Sequence, residues 1–252
     1  MLSSILWAAL GTAFTFLMTT LGAATVFFLT KETDPRFQRA LIGFAAGVMT
    51  AASIWSLLLP AIAQAEAGGG LPGWLPAGGG LLLGVAFLAA LDDLLPRLRR
   101  ERPGAIGRQN ALLMTAITLH NVPEGMAVGL AFALAADGDG LAAAVTLALG
   151  IGIQNFPEGA AVALPLRQEG RSRFKSFLGG MLSGAVEPVF GVLVVLAAAG
   201  VNAAMPWLLS FAAGAMVYVV VEELIPQAAS RAGTCGFITG FLVMMVLDVA
   251  LG

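Results

Sequence analysis

Along this chain apolar residues gather into eight long blocks, at roughly 3–29, 40–62, 76–95, 110–135, 141–165, 174–199, 205–229 and 233–251. Short stretches between them hold most of the charge. An apolar run of about 20 residues is enough to cross the hydrocarbon core of a bilayer as a helix. A helix satisfies its own backbone hydrogen bonds in lipid, so each block is predicted to be a transmembrane span. The first block does not read as a cleavable signal peptide, because it lacks a basic leading segment and its apolar stretch is too long. No polar stretch is long enough for a soluble domain. The expected fold is all-α and polytopic, a single membrane domain over residues 1–252.

Composition agrees. Apolar residues make up 58% of the chain and charged residues 11%, and the mean hydropathy is +0.90. A soluble domain of this length could not bury so much apolar surface, so lipid must be the solvent. Charge then sets the orientation. Lys31, Arg36 and Arg39 lie between spans 1 and 2, and Arg97, Arg99, Arg100, Arg102 and Arg108 between spans 3 and 4. Arg167, Arg171, Arg173 and Lys175 lie between spans 5 and 6, and Arg231 between spans 7 and 8. These are all 13 basic residues; the opposite loops carry only Glu66, Asp137 and Asp139. The positive-inside rule places the basic loops in the cytoplasm and both termini outside. Miscounting one span would destroy this segregation, which supports the count of eight. The acidic outer loops would concentrate cations there, or are simply solvated. The single cysteine, Cys235, excludes an intrachain disulfide and a thiolate cluster, and is expected to be a small packing residue.

Internal repeats refine the architecture. Span 2 contains FAAGVM (Phe44–Met49) and span 7 FAAGAM (Phe211–Met216), each followed by a proline, Pro60 and Pro226. Span 3 reads GVAFLAALD from Gly84 to Asp92, and span 8 reads GFLVMMVLD from Gly240 to Asp248. Members of each pair cross in opposite directions. A three-two-three arrangement with inverted outer repeats is expected, a pattern typical of secondary transporters.

Eight acidic residues fall within or near the spans: Asp92, Asp93, Glu124, Glu158, Glu187, Glu222, Glu223 and Asp248. No lysine or arginine accompanies them there. A carboxylate at the centre of a membrane helix costs about 2.5–3.5 kcal/mol on insertion scales, and such residues usually mark an ion path or a proton relay. The positive charge they need must come from a bound cation or from protons.

Two of these acids sit in a duplicated motif. HNVPEG, His120 to Gly125, recurs as QNFPEG, Gln154 to Gly159, 34 positions later. His120 lies 12 residues beyond Arg108, Glu187 lies 12 beyond Lys175, and Gln154 lies 13 before Arg167. At 1.5 Å per residue each is about 18–20 Å from its cytoplasmic charge, near mid-bilayer. Three spans therefore bring polar groups to one depth. Positions i and i+4 share a helix face, so His120 points with Glu124 and Gln154 with Glu158. Pro123 and Pro157 are expected to free the carbonyls of Leu119 and Ile153, and Gly125 and Gly159 to admit another backbone or an ion. In span 6, Glu187 and Pro188 combine the same acid and helix breaker.

One imidazole, several carboxylates and amide oxygens suit a divalent transition metal, the histidine shifting preference toward Zn²⁺ or Fe²⁺. The absence of thiolates argues against Cu⁺ and against a permanent tetrahedral cage, as befits a site that must release its ion. Taken singly, the polar residues could be interhelical hydrogen bonds and the Pro-Gly pairs plain kinks. A proton-coupled transporter of another solute stays open as an alternative. So does an intramembrane metallohydrolase, although an H-E-x-x-H motif is absent. No enzyme activity, no resident cofactor and no nucleic-acid partner are expected; the partners are divalent metal ions and the bilayer.

At HNVPEG and at IGIQNFPEGAAVALPLR (Ile151–Arg167) the chain closely resembles the ZIP (Zrt/Irt-like protein) family of divalent-metal transporters, the second stretch most like its GufA-type branch. The resemblance runs over essentially the whole chain. It implies a first metal site of His120, Glu124, Gln154 and Glu158. A second would comprise Asn121, Asn155 and Glu187, with Glu124 and Glu158 bridging. Many members carry aspartate where this chain has Asn155, and losing that charge weakens or retunes the second site. The histidine-rich loop common between spans 3 and 4 is missing here. The resemblance further implies an elevator-like motion of spans 1, 4, 5 and 6 against spans 2, 3, 7 and 8, uptake of zinc or a related ion toward the cytoplasm, a homodimer, and a bacterial inner membrane. Glu223, with Glu222 and Asp92, is a candidate for the exit path near the cytoplasmic ends of spans 7 and 3.

Overall fold

A computed structural model describes residues 2–28, 34–68, 70–98, 108–135, 140–168, 170–198 and 202–251. Lys31, Arg99, Arg100, Arg102, Asp137 and Asp139 lie outside the described residues. The described residues are helical nearly throughout and contain no strand. The eight expected spans map onto the helices in order: the expected span 1 is α1 (Leu2–Ala24), closed by a 3₁₀ turn at Thr25–Phe27. Span 2 is α2 (Pro35–Ala52) and α3 (Leu59–Ala67), joined by a π-helical turn at Ser53–Leu58. Spans 3, 4 and 5 are α4 (Trp74–Leu98), α5 (Arg108–Ala135) and α6 (Leu141–Gln168). Span 6 is α7 (Arg173–Gly184) followed by α8 (Val186–Ala198). Span 7 is α9 (Met205–Val219), a π-helical turn at Val220–Leu224 and the short α10 (Ile225–Ala228). Span 8 is α11 (Arg231–Leu251).

Several helices run past their apolar blocks into polar ends, because a helix is longer than the slab it crosses. Six segments of the described residues are long and apolar enough to span a bilayer: Ser3–Phe27, Pro35–Ala67, Trp74–Leu94, Arg173–Ala197, Met205–Ala228 and Arg231–Leu251. The 28-residue α5 and α6, which carry the polar motifs, are not among them. The distribution of side chains is that of a chain dissolved in lipid. Leu6, Leu10, Leu82, Phe87, Leu193 and Leu242 face outward. Much of the interior is alanine, such as Ala46, Ala51, Ala127, Ala163 and Ala212. Small residues let helix backbones approach where apolar burial offers no net drive. The chain is an integral, multi-pass membrane protein.

The helices sort into two groups. α2 packs most extensively on α11, and α4 on α9; α1 packs on α6, and α5 on α8. α1, α5, α6, α7 and α8 form one group, and α2, α3, α4, α9 and α11 the other. Contact between the groups is thinner, chiefly α5 on α9 and α2 on α6.

Glycines make the closest approaches within the second group. The place a Cβ would take at Gly84 is filled by the Phe211 carbonyl, and at Gly240 by the Phe44 carbonyl. The same holds for Gly47 against Phe237 and Gly214 against Leu81. Phe44 and Phe211 open the two FAAG segments, so the contacts of one repeat recur in the other. The two π turns also begin nine residues after those phenylalanines, at Ser53 and Val220. π turns occur most often at functional positions in helices.

α5 and α6 run on through Pro123 and Pro157 as continuous helices. The interruption falls in span 6 at Ala185, so that Glu187 and Pro188 open α8. Proline lacks an N–H that the first turn of a helix does not use, and a carboxylate there meets the positive end of the helix dipole. Cys235 is exposed rather than packed, since α11 meets α2 through Gly233, Gly236 and Gly240.

The N-terminus of α2 has a complete cap. Asp34 Oδ1 accepts the Arg36 backbone N–H at 2.8 Å, and Pro35 takes the first helical position. Asp34→Ala is expected to lower stability by about 1 kcal/mol, read as a small fall in the thermal midpoint of purified protein.

Candidate functional site

The duplicated motif places its side chains as helix periodicity requires, and the packing of α1 and α8 closes them in. Asn121, Glu124, Gln154, Asn155 and Glu187 are all 0% exposed and His120 is 5% exposed. Glu158 is partly exposed. Gly125 and Gly159 admit backbone as anticipated: Gly125 lies against the backbone of Glu187, and Gly159 against the carbonyl of Thr19. α5 and α6 thus sit close enough to α8 and α1 for side chains to pair.

Gln154 Nε2 donates to Glu124 Oε1 at 2.6 Å, joining α6 to α5. Asn121 Nδ2 donates to the Ser183 carbonyl at 2.8 Å. Asn155 Nδ2 donates to Glu187 Oε2 at 2.9 Å and lies 3.4 Å from the Thr15 carbonyl. Thr19 Oγ1 donates to Glu187 Oε1 at 3.1 Å. His120 Nε2 approaches Glu223 Oε1 to 2.6 Å across the boundary between the two groups, without hydrogen-bond alignment.

Six buried atoms of the motifs are left without a hydrogen-bond partner: His120 Nε2, Asn121 Oδ1, Glu124 Oε2, Gln154 Oε1, Asn155 Oδ1 and Glu158 Oε2. A buried unsatisfied polar atom costs about 1–3 kcal/mol, so six of them on neighbouring turns need an explanation. As the side chains stand, no three His, Cys, Asp or Glu groups among the described residues are gathered at ligand spacing. Amide oxygens make up half of the free set.

A cavity of about 370 Å³ reaches this cluster between the two groups, lined by His120 and Glu158 at one end and by Gln38, Gln227, Thr25 and Leu224 elsewhere. Gln38 and Gln227 lie near the helix ends that carry the basic loops. A separate cavity of about 220 Å³ is lined by Trp55, Ser56, Pro60, Ala135, Ala144 and Asp248, with Asp248 accepting from Ser56 at 2.6 Å.

Of the three exit-path candidates, only Glu223 reaches the motif residues. Asp92 accepts from the Tyr218 hydroxyl at 3.0 Å, and Glu222 is exposed. Residues in adjacent positions on a π turn point in different directions, so Glu222 and Glu223 part company. Sequence reasoning overlooked Thr15 and Thr19. Thr12, Thr15 and Thr19 recur at helical spacing down the buried face of an otherwise apolar α1, and that stripe was the available signal.

These features define a polytopic membrane protein with a buried imidazole, carboxylate and amide cluster reached by a cavity. The pattern described as ZIP Zinc transporter matches residues 99–248. Zinc transporter ZIP11 of Homo sapiens is 36% identical over 338 aligned positions, covering 99% of this chain and 98% of that protein. Zinc transporter GufA of Myxococcus xanthus is 39% identical over 245 residues, 93% of this chain and 94% of the relative. Zinc transporter ZIPB of Bordetella bronchiseptica is 40% identical over 258 residues, 98% of this chain and 82% of the relative. The chain belongs to the ZIP family of zinc transporters, a transporter family rather than an enzyme family.

Proposed function

We propose that this protein takes up Zn²⁺ or a closely related divalent ion toward the cytoplasm, through the cluster on α5, α6 and α8. The observation that carries this reading is the set of six buried atoms on the two motifs that lack a hydrogen bond. Five have no polar partner among the described residues, and His120 Nε2 has the Glu223 carboxylate beside it. One imidazole nitrogen, two carboxylate oxygens and three amide oxygens are ligands suited to a borderline divalent cation. Their unmet demand is what a transient cargo would satisfy and then release. His120, Glu124, Gln154 and Glu158 form the proposed primary ligand set, with Asn121 and Asn155 beside them and Glu187 behind.

In this reading the chain is one domain of eight spans in a three-two-three inverted arrangement. The recurrence of glycine contacts and π turns between span pairs 2 and 7, and 3 and 8, supports it. The close-packed groups would move against each other along their thinner boundary, with α1, α5, α6, α7 and α8 carrying the ion. The cavity at that boundary supports an exit past Glu223. Helical spans rather than a barrel suit a plasma membrane, in a bacterium the inner one. Pairing of two chains through the other group completes the proposal.

The test is uptake of labelled zinc into proteoliposomes. Wild type is expected to show saturable uptake, lost in His120→Ala and in Glu158→Gln. Uptake that survives both substitutions would remove the site from this reading, and a folded wild type inert toward every divalent ion would remove the cargo.

A further inference from the structure

We infer that each chain holds a single divalent ion, and that the Asn155 amide occupies the place on Glu187 where a second would bind. The inference rests on the transporter reading above and concerns how many ions the cluster takes.

Glu187 differs from the other two carboxylates of the cluster. Glu124 and Glu158 each keep one oxygen without a partner, whereas neither oxygen of Glu187 is left bare. Its Oε1 accepts from Thr19 at 3.1 Å and its Oε2 from Asn155 at 2.9 Å. Thr19 also lies 3.3 Å from the Thr15 carbonyl, but the shorter bond to a carboxylate is the stronger claim on its one proton.

Chemistry fixes which end of Asn155 does this. Its Nδ2 faces an oxygen of Glu187 and the Thr15 carbonyl, and a carbonyl, like an ionised carboxylate, can only accept. Flipping the amide would set its oxygen against two acceptors. The amide oxygen is therefore turned away from Glu187 and remains unpartnered. Asn121 is oriented in the same way, its nitrogen committed to the Ser183 carbonyl and its oxygen free.

The charge on Glu187 is met by two hydrogen bonds and by the N-terminal turn of α8, in which it sits. A second cation seated on Glu187 would meet the donor hydrogens of Asn155 and Thr19, which repel it.

Metal per chain, measured on the purified protein by calorimetric titration with Cd²⁺ and by elemental analysis after dialysis, tests this directly. Wild type is expected to hold one ion. Asn155→Asp replaces the donor by an anionic ligand and is expected to hold two, a gain that a misfolded variant cannot mimic. Two ions in the wild type would overturn the inference and leave the transporter reading intact. No ion in a folded wild type would overturn the reading beneath it. A folded Asn155→Asp that still holds one would overturn the role assigned to Asn155.

Discussion

Glu124→Gln is expected to abolish saturable zinc uptake while leaving the protein folded. Glu124 is fully buried, and one of its oxygens is held by Gln154 while the other is bare. In a site excluded from water, removing one charge of a compensating pair costs about 3–5 kcal/mol. That corresponds to a loss of affinity of roughly a hundredfold to several thousandfold. Glutamine preserves the volume and still offers an oxygen to Gln154 Nε2. The metal-free variant is therefore expected to be at least as stable as wild type, since it no longer buries an uncompensated charge. Zinc titration and metal-free thermal unfolding, on one preparation, separate the two effects. Near-normal affinity would show that Glu124 is not a ligand.

Gly84→Leu and Gly240→Leu are expected to destabilise the protein severely and to a similar degree. Each glycine lies against a backbone carbonyl, Phe211 in one case and Phe44 in the other, and a carbonyl cannot move aside as a side chain can. Overpacking a tight contact costs about 1–3 kcal/mol for smaller insertions, so leucine is expected at or above the upper end. The thermal midpoint in detergent should fall by roughly 10 °C. Leucine at Gly78, around which no atom lies within 4 Å of the Cβ position, is expected to be silent. Unequal effects at Gly84 and Gly240 would count against the matched repeats, whereas equal loss at all three sites would point to a general effect of bulk.

The helices and the chemical character of the site are legible without coordinates. Apolar blocks report where lipid is the solvent, and HNVPEG and QNFPEG report which turns resist it. The predicted close approach at Gly125 and Gly159 is found, because glycine is the residue whose missing side chain leaves room. Three features escape such reasoning. The break at Ala185, rather than at Pro123 or Pro157, depends on whether neighbouring helices hold a proline-bearing turn in place. The separation of Glu223 from Glu222 depends on a π turn that no composition rule announces. Thr19 looks like one more tolerated hydroxyl until α8 is laid beside α1.

By itself, then, the order of residues determined the medium, the helical class and the types of ligand available. These depend on transfer between water and lipid and on helix periodicity, which act locally along the chain. Only the tertiary structure decided which polar atoms are paired and which are left free. Those choices depend on the rotation and register of packed helices, where one residue of slip turns a side chain by about 100° and exchanges its partners.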